Sequence, residues 1–332
     1  MNVLKNLLWA VLGLLVVGGG FVLAARNGYL TPDEATLRSR YGLPNSRFAD
    51  IEGQTIHYVD EGRGPAIVLV HGSYGSLRMW DSWAKELTGR FRVLRFDRPP
   101  MGLSSPQPGG GKDFVADEMR VIDELTRRLG IERFILVGTS SAGTPVAAYA
   151  VEHPERLVGL VLSNVAIGAV KPERKALPPA LRFSLAIDPW LGGWHMSMRW
   201  REVLKMNFHD VTKVTPAMVR EWTDLNNRAQ RLPRPNYVPS GAMFARTATD
   251  LPRIAVPTLL LWSANDHEFP VDTVARRALE VLGTSDKHLE IIARCGHMLP
   301  LECGDEGVRV ARASFDRWTT TNTVPSPMPA PQ

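Results

Sequence analysis

The chain has 332 residues, of which 44% are hydrophobic and 22% charged. That is enough apolar sequence for a sizeable core, and it argues against a wholly disordered chain. Two cysteines exclude a disulfide-stapled miniprotein and any four-cysteine zinc or iron–sulfur site. The 39 basic residues exceed the 34 acidic ones to give a formal net charge of +5, but they are scattered, so the electrostatic footprint of a nucleic-acid binder is missing.

The N-terminus carries an uncharged apolar run, LLWAVLGLLVVGGGFVLAA at 7–25, between Lys5 and Arg26. About 20 such residues cross a bilayer as a helix, and glycines such as Gly18, Gly19 and Gly20 are tolerated in lipid. The segment 1–26 is therefore expected to be a membrane anchor. A cleaved signal peptide is the alternative, because Val22-Leu23-Ala24 resembles a cleavage site. Arg26, Arg38 and Arg40 come after the span, so the positive-inside count does not put the globular part outside. Short-tailed N-terminal anchors nevertheless usually export the domain behind them, and the expectation is a periplasmic or extracellular globular domain. Cys295 and Cys303 could pair in such an oxidising compartment; two isolated buried thiols are the alternative.

After an expected linker at 27–50, short apolar runs alternate with helical patterns. Strands are predicted at 56–59, 67–70, 93–96, 134–137, 157–162, 258–262 and 289–292, with helices at 80–87, 114–129, 144–153, 274–282 and 307–318. Most of the strand runs are continuously apolar, as strands covered on both faces are. This is an α/β pattern with a mostly parallel central sheet flanked by helices, in which ligands sit at the carboxyl ends of the strands. The core is expected in two parts, 51–163 and 251–318. Between them, 164–250 lacks buried-strand runs but holds Trp190, Trp194, Trp200, Trp222 and helical patches at 200–208 and 216–229. It reads as a helical lid. The Pro/Thr-rich, nearly charge-free segment 319–332 reads as a disordered tail.

The segment FILVGTSSAG at 134–143 runs an apolar strand into a small-residue turn and then a helix. This is close to a G-x-S-x-G nucleophile elbow, where a serine on a strained turn has small residues two positions to either side and a helix N-terminus beneath it. Gly138 and Ala142 make Ser140 the nucleophile; a shifted register would choose Ser141. The elbow's chain order requires an acid and then a histidine. Asp266 comes after the 258–262 strand, with Glu268 the other carboxylate of that loop, and His297 comes after the 289–292 strand. His71, His153, His267 and His288 do not fit the base position. The oxyanion would be held by the backbone N–H groups of Ser141 and of Ser73, with Tyr74 the neighbouring alternative. This chemistry needs no metal and no cofactor.

These motifs, with LVHGS at 69–73, FDRPPMGLSS at 96–105, EHPERLVGLVL at 152–162, LLLWSANDHEFP at 259–270 and CGHMLPLE at 295–302, resemble the α/β-hydrolase superfamily, specifically its lid-bearing branch of esterases, C–C hydrolases, epoxide hydrolases and dehalogenases. The resemblance covers 50–318 and implies an α/β-hydrolase fold in which Ser140, Asp266 and His297 are nucleophile, acid and base. Ala142, and Pro100 where that loop usually has Gly, depart from the pattern. A serine nucleophile implies an acyl-enzyme, whereas the dehalogenases and epoxide hydrolases of this fold attack with Asp. The expected activity is hydrolysis of a carboxylic ester or lactone of a small, largely apolar substrate. The alternatives are a C–C bond hydrolase of a ring-cleavage product, which would want a basic or polar clamp for a carboxylate from Arg78 or an arginine of the lid, an acyltransferase or perhydrolase, and a non-catalytic membrane-tethered binding protein.

Overall fold

A computed structural model describes residues 2–111, 113–168, 176–232 and 244–321. The chain begins with α1 (Asn2–Arg26). Within it Val3–Arg26 has a mean hydropathy of 2.4 and an apolar window with no buried share, so the apolar surface from Val3 to Phe21 stays exposed and only the end of the helix, at Ala25, is buried.

The segment expected to be a linker is structured, which corrects that reading. Asp33 caps α2 (Glu34–Tyr41) by accepting from the Thr36 N–H, and Leu37 and Tyr41 bury against Leu103 and Leu225. Next come β1 (Arg47–Ile51), then β2 (Gln54–Gly62), β3 (Ala66–Val70), α3 (Asp81–Leu87), β4 (Arg92–Phe96), α4 (Phe114–Arg128), β5 (Phe134–Thr139), α5 (Gly143–Glu152) and β6 (Leu157–Ser163). After the segment between β6 and β7 come β7 (Thr258–Ser263), α10 (Arg276–Val281), β8 (Lys287–Ile292), α11 (Leu299–Glu302) and α12 (Gly304–Thr321). Residues 319–321 therefore end a helix and do not begin a tail; 322–332 lie outside the described residues.

The eight strands form one sheet in the order β1-β2-β4-β3-β5-β6-β7-β8. The β1–β2 and β2–β4 pairs are antiparallel and every pair from β4 to β8 is parallel. β3 and β5 are buried throughout, because helices cover both faces. Trp80, Trp83, Phe315 and Trp318 pack on one side; Val121, Ile122, Tyr149 and Ala278 pack on the other. The carboxyl ends of β3, β5, β7 and β8 lie along one edge and feed the segments holding Ser73, Ser140, Asp266 and His297.

Between β6 and β7 run α6 (Pro179–Ile187), α7 (Ser197–Asn207), α8 (Pro216–Arg231) and α9 (Ala245–Asp250). Trp200, Leu204, Phe208, Val219 and Trp222 bury in the same cluster as Met79 and Trp80, whereas Trp190 is exposed. The Phe21 ring of α1 meets the Trp194 ring edge-on at 5.7 Å, and Arg26 donates to the Trp190 carbonyl. The end of α1 thus abuts the stretch between α6 and α7. A second tie lies at the other end of the insertion's first half. The buried Glu302 carboxylate accepts from the N–H groups of Gly296 (2.7 Å), His209 (2.9 Å) and Asp210 (2.6 Å), joining the loop after β8 to the segment after α7.

Two outcomes are expected. A fragment beginning at Arg26 should stay soluble without detergent and unfold cooperatively, while the full chain co-sediments with vesicles; a fragment that still needs detergent would mean that another surface meets lipid. Glu302→Ala should leave three backbone donors unpaired and lower stability by about 3 kcal/mol or more in urea unfolding. Glu306→Ala, on the exposed face of α12, should change it by less than about 0.5 kcal/mol.

Candidate active site

β5 delivers Ser140 into a turn that an L-residue rarely adopts, with φ at +54°. Close approach on three sides enforces it. A Cβ on Gly138 would lie 2.6 Å from Val146 Cγ2 of α5, and one on Gly72 would lie 2.9 Å from Ser140 Cβ. Small residues at these positions let strand, helix and the loop after β3 converge on the serine. Ala142, where the elbow pattern has Gly, is fully buried in the core.

The Ser140 Oγ is 3.0 Å from His297 Nε2, and His297 Nδ1 is 2.9 Å from Asp266 Oδ2. The other Asp266 oxygen accepts from the N–H groups of Glu268 (2.8 Å) and Phe269 (3.0 Å). The structure thus brings together the three residues that chain order had put forward from segments up to 157 positions apart. The Ser141 hydroxyl is engaged elsewhere. It accepts from Ser73 Oγ (2.8 Å) and Arg98 Nη1 (3.0 Å), so it does not compete for His297. The same contacts seat Ser73 and Ser141 beside each other, with the Gly72 backbone against Ser140.

Burial pushes the His297 imidazole down, but the charges of Asp266 and Glu268 and the Asp266 hydrogen bond outweigh it and raise it to about 9. Glu268 contributes because its Oε2 lies 3.6 Å from His297 Nε2. His71 behaves oppositely. Burial and the neighbouring Arg98 charge push it to about 4. Its Nε2 accepts from the Arg98 N–H at 2.8 Å and its Nδ1 lies 2.8 Å from the Gly72 carbonyl. His71 is therefore a neutral brace for the loop after β3, and the hydrogen bonds assign its proton to Nδ1.

Several residues hold this site without being singled out by the catalytic pattern. Arg98 is fully buried, pairs with Glu118 through Nε and Nη2, and donates to the His71 carbonyl as well as to Ser141. Asn164, with φ at +47°, donates to Ser263 Oγ and to the His297 carbonyl and accepts from the Ser263 N–H. Cys295 and Cys303 form a disulfide that brackets His297. The one sequence signal for Asn164 is a polar pair, Ser163-Asn164, closing an apolar strand. Arg78 is paired with Glu221 and Asp81. Among the described residues, the side chains of Cys295, Glu302 and Cys303 lie close enough for a metal. The disulfide and the backbone donors to Glu302 already occupy them.

Residues 67–313 match the model of the alpha/beta hydrolase family. The chain is 26% identical over 277 residues to a 2-hydroxy-6-oxo-6-phenylhexa-2,4-dienoate hydrolase of Comamonas testosteroni, covering 79% of this chain and 91% of that one. Its fold is similar to that of a membrane phospholipase A described as a bacterial virulence factor, with a TM-score of 0.63, 24% identity, and coverage of 95% of this chain and 99% of the other. It is similar also to naproxen esterase of Bacillus subtilis, with a TM-score of 0.67, 19% identity, and coverage of 84% and 95%. With its helix-flanked, mostly parallel sheet, its tight turn after β5 and a family match running from β3 into α12, this chain belongs to the alpha/beta hydrolase family.

Proposed function

We propose that the protein is a serine hydrolase that cleaves a carboxylic ester or lactone of a small, largely apolar substrate through an acyl-enzyme. The observation that carries this reading is the continuous hydrogen-bonded line from Ser140 Oγ through His297 to Asp266. His297 Nε2 takes the Ser140 proton as Oγ attacks the carbonyl carbon. The Ser141 and Ser73 N–H groups hold the oxyanion. His297 then gives the proton to the leaving oxygen as the C–O bond breaks, and Asp266 stabilises the imidazolium between these steps. Water, activated by the same imidazole, attacks the acyl carbon and releases the acid and Ser140. No step calls for a metal or a cofactor.

The helices between β6 and β7 serve in this reading as a lid over the edge that carries Ser140, packed onto the core through Trp200 and Trp222. The helix α1 serves as a membrane anchor, with the globular part on the non-cytoplasmic side. The exposed apolar helix and the Cys295–Cys303 disulfide support that placement. The likeness to a membrane phospholipase A over 95% of the chain fits an ester hydrolase working beside a bilayer.

A second reading, cleavage of an activated C–C bond, draws support from the dienoate hydrolase of Comamonas testosteroni. A dienoate carries a carboxylate that such a site must hold. Arg78 is already paired with Glu221, which would leave the clamp to an arginine of the insertion, whereas the ester reading needs no such clamp.

A fluorophosphonate probe should label Ser140, located by mass spectrometry of the modified peptide, and a folded protein that takes no label would overturn the proposal. Ser140→Ala should lower kcat/KM by at least about 10⁴-fold. Ser141→Ala, which loses only hydroxyl contacts, should lower it by about tenfold or less. Substantial activity in the first variant, with loss in the second, would reassign the nucleophile. Because His297 must be neutral to take a proton and is raised to about 9, kcat/KM should climb with pH from 7, gaining on the order of a hundredfold before levelling off. A plateau already reached by pH 7 would contradict that assignment.

A further inference from the structure

Glu268 is the residue of this site that the reaction above leaves unused. It lies two residues after Asp266, and its own N–H is held by Asp266 Oδ1 at 2.8 Å, so its backbone is fixed by the carboxylate that orients His297. Its side chain turns to the other edge of the imidazole, where Oε2 sits 3.6 Å from His297 Nε2. Nε2 is also 3.0 Å from Ser140 Oγ. The carboxylate is 46% exposed, and among the described residues its ion-pair partner is His297 alone.

That position has a chemical consequence. A leaving oxygen takes its proton from Nε2, so it must come within about 3 Å of that atom. The substituent on that oxygen then passes within a few ångströms of the Glu268 carboxylate. The charges that act on the imidazole are both negative. Asp266 is buried on the Nδ1 side and Glu268 stands half in solvent on the Nε2 side, while the Phe269 ring meets the imidazole edge-on at 5.3 Å and brings no charge. Of the two carboxylates, only Glu268 stands where a substrate can reach it.

We propose that Glu268 makes the leaving-group side of the site anionic, so that among esters sharing one acyl part the protein favours a cationic leaving alcohol over a neutral one and turns away an anionic one. This rests on the ester-hydrolase reading and names its leaving-group class: alcohols bearing an ammonium group, or neutral ones. The same carboxylate strengthens His297 as a base, which is consistent with its raised proton affinity.

The test uses the full chain in a neutral detergent and three butyrate esters of similar shape. Butyrylcholine is cationic, 3,3-dimethylbutyl butyrate is its neutral isostere, and 2-sulfoethyl butyrate is anionic. At a pH above the His297 midpoint, kcat/KM for the cationic ester should exceed that for its isostere by about fivefold or more, with the anionic ester lower by a similar factor, as expected for one half-exposed charge a few ångströms away. Glu268→Gln should collapse both ratios toward those of uncatalysed hydrolysis, and Glu268→Asp should retain their direction. The wild-type ratios should also shrink between about 0.05 M and 0.5 M salt. Hydrolysis with ratios that Glu268→Gln leaves unmoved, or a wild type indifferent to charge, would overturn the role of Glu268 while leaving the hydrolase reading intact. A folded protein that hydrolyses none of the three and takes no fluorophosphonate label at Ser140 would remove both readings together.

Discussion

The constraint on which the rest of the molecule depends is the backbone at Ser140. A serine at φ +54° costs on the order of 1–3 kcal/mol and persists only where its surroundings over-determine it. Here β5 enters the turn hydrogen-bonded to strands on both sides, at β3 and β6. α5 leaves it packed so closely on Gly138 that a methyl group there would clash with Val146. The loop after β3 closes the third side through Gly72. Strand, helix and loop are each held by the core, so the strain at one residue is set against the packing of the whole sheet. Its result is a hydroxyl lifted off the sheet edge toward His297.

A second layer, polar and buried, keeps the neighbouring loops in register. Arg98 reaches across the edge of the sheet from the loop after β4. One side of its guanidinium binds Glu118 of α4 and the other binds the His71 carbonyl and the Ser141 hydroxyl. Taking an arginine fully out of water is costly unless its donors are satisfied, and here a carboxylate and two further acceptors satisfy them. The pair is therefore better understood as fixing geometry than as adding stability. It joins the two segments that carry the Ser73 and Ser141 amides, and the same contacts occupy the hydroxyl of the serine next to Ser140.

Much of this was legible in the sequence, for identifiable physical reasons. Strands buried on both faces leave continuous apolar runs, so β3, β5, β6 and β7 stand out. The turn at Ser140 demands small residues at fixed spacing, and the order serine, acid, histidine matches the order of the strands. The features that escaped detection depend on tertiary contact. β1 is an edge strand whose Ile51 alone is buried, so it has too little apolar pattern to separate it from a linker. In α2 only Leu37 and Tyr41 are buried. Arg98 and Glu302 stand in recognisable stretches, but their roles depend on partners elsewhere, such as Glu118 for Arg98 and the His209 and Asp210 N–H groups for Glu302, and Asn164 and the His297 carbonyl are 133 positions apart. No local spacing announces such a pair. Glu268 was visible only as the lesser carboxylate of its loop, because nothing in the sequence says that its side chain turns toward Nε2.

The loop that bears His297 brings these threads together. Asn164 holds the His297 carbonyl from the end of β6, the disulfide ties Cys295 to Cys303, and Glu302 holds the Gly296 N–H. Each restrains the backbone and none touches the imidazole, so the ring's polar contacts are left to Asp266, Ser140 and Glu268, with Phe269 packed edge-on against it. Glu302 also holds the N–H groups of His209 and Asp210. The same carboxylate therefore fixes one side of the histidine loop and the segment of the insertion just after α7. Before α7 the insertion meets α1 through Trp194 and Trp190. A displacement of the insertion that moved residues 209 and 210 would have to break two hydrogen bonds to a buried carboxylate, each worth roughly 1.5–3 kcal/mol when the acceptor is charged. The stretch between α6 and α7 is held as well, because the backbone N–H and carbonyl of the buried His195 both pair with the Asn227 side chain of α8, at 2.7 and 2.9 Å. Both ends of α7 are therefore tied, one to the histidine loop through Glu302 and the other to α8 and α1.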